Sequence, residues 1–177
     1  RRGWPFPGLF DNSEPHPFRS GVSFYDQFEE RTEFAAVFPS GQVVVLSSLR
    51  EDQSFYNRSF HGIRDTDTPA KGFVGLYNLL YSLAELLEFG HRYGRRLGAT
   101  SVTVEYQING IFGRYLKSES IDRLILRDYS CLRNDISMPV VMSLDFEADF
   151  ESFVSAASQG LAEFGFRPEQ SIIRDIF

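Results

Sequence analysis

The chain has 177 residues, a mass of 20.3 kDa and a formal net charge of −6, and its 24% charged residues stand beside 15% aromatic ones, among them 18 Phe. That apolar load excludes a disordered chain, and the length suits one domain that buries roughly 70% of the surface its unfolded chain exposes. The acidic balance excludes a general phosphate-tracking surface, and the single Cys131 excludes an internal disulfide framework or a cysteine-based metal cluster.

The opening Arg1-Arg2-Gly3-Trp4-Pro5-Phe6-Pro7-Gly8 has no initiator methionine and no secretory pattern. It reads as the later part of a larger cytoplasmic protein, with the parent's main activity upstream. Pro5, Pro7, Pro15 and Pro17 make residues 1 to 20 an extended arm without a ladder of its own, and residues 21 to 177 a single domain. Trp4, Phe6, Leu9 and Phe10 on the arm then need a surface to lie on. Val22 to Phe28 adds an edge strand, and Glu33 to Phe38 and Gln42 to Leu49 form a hairpin across Pro39-Ser40-Gly41. Arg50 to Asp67 is a long polar loop of the kind that carries function or moves.

Thr68 as N-cap and Pro69 at the first helical position open a helix that runs to about Leu97 and stops at Gly98. One apolar stripe holds Phe73, Leu76, Leu80, Leu83, Leu87 and Gly94. A second holds Leu79, Leu86, Phe89, Tyr93 and Leu97, so the arc is wider than one sheet face covers. Either the N-terminal arm or another protein surface covers the remainder, which makes Leu79, Leu86, Phe89 and Tyr93 the candidate interface. Because Asn78, Glu85 and Glu88 interrupt this segment, no membrane-spanning helix is expected.

Val102, Val104, Tyr106 and Ile108 alternate with polar residues as in a half-buried strand. Ile121 to Arg127 is a further strand, and Ile136 to Phe146 a third, with Pro139 marking an edge or bulge. A last helix from about Asp149 to Phe164 ends at Gly165. The expected order is ββ-α-βββ-α: an α+β fold with a mostly antiparallel sheet of about five to six strands and two helices on one face.

No chemistry-bearing motif emerges. The three histidines have no helical zinc spacing, and there is no phosphate-binding glycine loop or nucleophile elbow, so no cofactor and no metal ligand set is assigned. The basic residues are 16 Arg and two Lys. Arg92, Arg95 and Arg96 share a face at the end of the long helix, where cations complement the helix dipole or meet an anion or nucleic acid. Arg114, in the turn Ile111 to Leu116, is a further candidate for that contact. His61, Asp65 and Asp67 are the residues of an alternative metal-dependent hydrolase or nuclease.

Arg2-Gly3-Trp4-Pro5-Phe6-Pro7 with Phe10, the helix Leu83-Ala84-Glu85-Leu86-Leu87-Glu88-Phe89 leading to Tyr93-Gly94-Arg95-Arg96-Leu97-Gly98, and the turn Gly113-Arg114-Tyr115-Leu116 resemble the C-terminal region of bacterial Schlafen-like, AlbA-type DNA-binding proteins. That resemblance implies an accessory domain behind an N-terminal DNA-binding or nucleotide-binding domain, and it carries over no catalytic residue. The functional expectation is a non-catalytic accessory domain for self-association, contact with a parent N-terminal domain, or ligand sensing. The alternative is a nucleic-acid-binding module using the arginine patch.

Overall fold

The structure, a computed structural model, describes residues 13–28, 31–52, 72–118, 129–144 and 150–174. The chain expected to form one domain from residue 21 divides into two compact units, residues 1–65 and 66–177. Their boundary falls in the polar segment that interrupts the apolar patterning between Leu49 and Phe73.

The first unit is an antiparallel meander. Strands β1 (His16–Phe18), β2 (Gly21–Phe28), β3 (Arg31–Val37) and β4 (Val43–Ser47) lie in that spatial order. Two expectations change here. The supposed arm contributes a strand, because His16, Pro17 and Phe18 pair with Ser23, Val22 and Gly21. In consequence β2 lies inside the sheet and is not an edge. The β3–β4 hairpin is as read: Phe38 N–H donates to Gln42 O at 2.9 Å, and Gly41 takes the φ of 84° that closes a three-residue loop. Arg50–Asp52 forms a single 3₁₀ turn.

The second unit opens with β5 (Phe73–Gly75), followed by α1 (Leu76–Arg96), β6 (Ser101–Asn109), β7 (Tyr115–Lys117), β8 (Asp135–Ser143), α2 (Phe150–Ala162) and a short α3 (Gln170–Arg174). The architecture is therefore α+β with largely antiparallel pairing. The strand count and order depart from the expectation, and α3 is a third helix. Phe73 belongs to a strand and not to the helical stripe. Gly72, at φ 76°, and the extended Gly75 break the helix ahead of Leu76, and α1 starts without a side-chain cap. Thr68, Pro69, the arm residues 1–12 and the segment Ile121 to Arg127 lie outside the described residues.

β5 pairs in parallel with β7, Phe73 to Tyr115 and Val74 to Leu116. Parallel neighbours need a crossover, and α1 is that crossover. β6 pairs antiparallel with β8 over its full length, from Ser101–Ser143 to Asn109–Asp135. The pairing continues past the strand ends, with Ile111 N–H donating to Asn134 O (3.1 Å), Cys131 N–H to Arg114 O (2.8 Å) and Leu116 N–H to Tyr129 O (2.8 Å). One long ribbon thus carries β5 along its far end.

Alternation sets the core. Val104, Ile108, Ile136, Met138, Val140 and Met142 are buried, Val102 and Tyr106 on the same face are half-buried, and the odd-numbered residues of both strands are exposed. α1 lies on the buried face, where a Cβ on Gly90 would come within 2.5 Å of Val104 Cγ2 and one on Gly94 within 2.5 Å of Leu144 Cδ1. α2 shares that face, as Gly160 lies against the Met138 side chain. Three helical glycines therefore set how closely both helices approach the ribbon. Leu80, Leu83, Val154, Leu161 and Phe164 fill the space between.

Candidate interaction surfaces

α1 ends in a Schellman motif: Ala99 N–H donates to Gly94 O (3.0 Å) and Gly98 N–H to Arg95 O (3.1 Å), with Gly98 at φ 70°. This termination leaves Arg92, Arg95 and Arg96 together on the exposed side of the last turns. Arg92 is bound to Glu88 at 2.5 Å, an exposed i,i+4 pair. Arg95 and Arg96 form no ion pair with another described residue, and they complement the negative end of the helix. Arg114 is not part of this patch. Val102 lies beside Gly94 at the helix end, whereas Arg114 follows the far end of β6, and a nine-residue strand spans about 30 Å. There its Nε donates to Gly110 O at 3.2 Å.

The second apolar stripe of α1 divides into three. Leu79 is buried with the first stripe and serves the core, so it is corrected from the interface set. Leu97 is exposed. Leu86, Phe89 and Tyr93 are half-buried along the flank, and the Phe89 and Tyr93 rings stack with centroids 5.6 Å apart at 16°. One turn from the start of the helix, Tyr77 and Tyr81 stack in the same i,i+4 manner at 6.5 Å.

The meander carries a surface that sequence reasoning missed. Tyr25, Phe34 and Leu46 are Cα partners across β2, β3 and β4, so they form one transverse row on one sheet face. Tyr25 is 50% exposed and Leu46 59%. Phe18 belongs to the same face, packed edge-on against Phe38 with centroids 5.8 Å apart. The described acidic side chains of these strands, Asp26 and Glu33, alternate onto the opposite face. The signal was present in the run Val43-Val44-Val45-Leu46, which has no polar alternation, but the pairing order that makes it an edge is not local information.

Several titratable groups are engaged structurally. Hydrogen bonds from Gln107 Nε2 and the Ser137 hydroxyl, both 2.8 Å, hold the Glu105 carboxyl below the usual carboxylate range on the outer face of the ribbon. Burial pushes the Cys131 thiol up, with Sγ donating to Arg133 O at 3.3 Å. Arg133 pairs with Glu163 at 3.3 Å and Arg174 with Glu151 at 2.6 Å. Among the described residues no group of three or more His, Cys, Asp or Glu is placed to hold a metal, and no helix is long and apolar enough to cross a membrane. His61, Asp65 and Asp67 lie outside the described residues. No protein-family model, curated protein or solved structure matches the chain.

Proposed function

We propose that this chain is a non-catalytic accessory region of a larger bacterial cytoplasmic protein, working by contact with another protein surface: a second copy or a preceding domain. The observation that carries this reading is the flank of α1. Its core face is filled by Leu80, Leu83, Leu87, Gly90 and Gly94, yet Leu86 and the stacked rings of Phe89 and Tyr93 add an apolar band that the described fold covers only in part. Aromatic side chains are enriched in protein interfaces because they bury much area at low entropic cost.

Urea denaturation of Phe89→Ser and Tyr93→Ser tests the reading. A contact surface tolerates each change with a loss under about 1 kcal/mol. A loss near the ~3–5 kcal/mol of a truncated core aromatic makes the flank internal and removes the reading.

Nucleic-acid contact is the second reading, supported by the grouping of Arg92, Arg95 and Arg96 on one exposed face. It requires binding that weakens with salt and weakens again when Arg95 and Arg96 become Ala. Absence of binding to single- or double-stranded DNA at low salt removes it.

A further inference from the structure

Free strand edges present rows of N–H and C=O groups that template pairing with another chain, and folded proteins blunt them with short strands, charge or proline. Most outer strands among the described residues follow that rule. β1 has three residues and contains Pro17, β5 has three residues, and β8, which among the described residues pairs only with β6, has Pro139 at its centre. β4 does not. Val43-Val44-Val45-Leu46-Ser47 contains no proline, no glycine and no charge, and its outer side is unpaired among the described residues.

The register fixes which backbone groups face that edge. Ser48 N–H donates to Thr32 O at 3.1 Å and Phe38 N–H to Gln42 O at 2.9 Å, so the even-numbered residues of β4 exchange their hydrogen bonds with β3. Val43, Val45 and Ser47 therefore turn both N–H and C=O outward.

We propose that the outer edge of β4 takes a second copy of this chain, β4 antiparallel to β4 about a two-fold axis at Val45. The proposal rests on the contact-region reading and adds to it a surface and an occupant. With the axis at Val45, Val43 faces the partner's Ser47 and Val45 the partner's Val45, and each such pair exchanges two backbone hydrogen bonds. On the aromatic face, Leu46 meets the partner's Val44. The row Tyr25–Phe34–Leu46 then runs on into the partner sheet, and the exposed Leu46 is covered. No charge meets a like charge across the axis, which is the electrostatic requirement for a strand to pair with itself. An isologous contact of this kind closes at the dimer and does not propagate.

Sedimentation velocity of the full chain over a wide concentration range tests this. The expected result is a concentration-dependent dimer. Val45→Pro removes an outward N–H without touching the β3 ladder, and should raise the dimer dissociation constant at least tenfold. Should that variant fail to fold, Leu46→Lys, at an exposed side chain, gives the same weakening. Mixing Leu46→Lys with Leu46→Glu should then restore dimers that neither forms alone, because position 46 lies diagonally across the axis from its own copy. A dimer that persists in Val45→Pro and Leu46→Lys overturns the proposal; if Phe89→Ser dissolves it, the contact-region reading survives with self-association moved to α1. A monomer at every concentration also overturns the proposal, and the stability of Phe89→Ser and Tyr93→Ser then decides the broader reading on its own.

Discussion

The two units of this chain solve the burial problem differently. In residues 66–177, apolar side chains from one ribbon face and three helices interlock, and Leu80, Leu83, Ile111, Leu116, Met138, Val154 and Phe164 are almost fully enclosed. In the described part of residues 1–65 the enclosed apolar side chains are Ala35 and Ala36. Two methyl groups remove little area from water, so the meander depends on cross-strand pairs and on whatever covers Phe18, Tyr25, Phe34 and Leu46. The difference teaches where to look for stability and where for contact: the second unit is built to hold a shape, and the first presents an apolar face and an unguarded edge.

The sharpest way to break that comparison is truncation. Leu83→Ala should cost about 2–5 kcal/mol in urea unfolding, whereas Leu46→Ala in the dilute chain should stay within about 0.5 kcal/mol. Equal effects at the two sites would contradict the division. Next, Gly90→Ala should destabilise by about 1–3 kcal/mol from overpacking on the stiff, buried Val104, less about 1 kcal/mol returned by helix propensity. Gly94→Ala should cost less, since the atom it meets is the end of a flexible leucine.

Cys131 reports on the same enclosure. With its thiol buried and its pKa raised, its reaction with a thiol reagent at pH 8 should follow opening of the second unit and speed up in Leu83→Ala. Glu105 gives a pH test. Its folded pKa is lowered, so its contribution is present above the ordinary glutamate pKa and is lost as pH falls through the folded value. Replacing it with Gln should lower stability slightly at neutral pH and flatten the acid limb, so that variant and wild type converge as pH falls through the folded value. The smallest effect belongs to Arg92→Ala, which removes an exposed i,i+4 pair and should shift stability by no more than about 0.5 kcal/mol.

What the sequence made legible follows from how local each signal is. Period-two alternation from Ser101 to Asn109 and from Asp135 to Ser143 placed both long strands, and Gly98 and Gly165 marked real helix ends because a positive φ is a local demand. Pro39-Ser40-Gly41 located the hairpin for the same reason. Phe73-Val74-Gly75 was absorbed into the helix because three apolar residues fit either period, and only the parallel partner Tyr115-Leu116, some forty residues on, makes them a strand. Pro17 pointed to an unpaired arm, although an edge strand tolerates proline. Of the candidate surfaces, Arg92, Arg95 and Arg96 grouped as their spacing implied, while Arg114 depended on strand length and Leu79 on which neighbours reach the helix. The β4 edge is a property of sheet order, so no window of sequence contains it.

The measurement that bears most directly on this account is amide hydrogen exchange of the full chain, residue by residue, at dilute and at high concentration. Amides in α1, β6 and β8 should exchange slowest at both concentrations. In β4, those of Val44 and Leu46 should be protected at both, and those of Val43, Val45 and Ser47 only when the chain is concentrated. Odd-numbered β4 amides that exchange alike at the two concentrations, or a meander as protected as the second unit in the dilute chain, would contradict it.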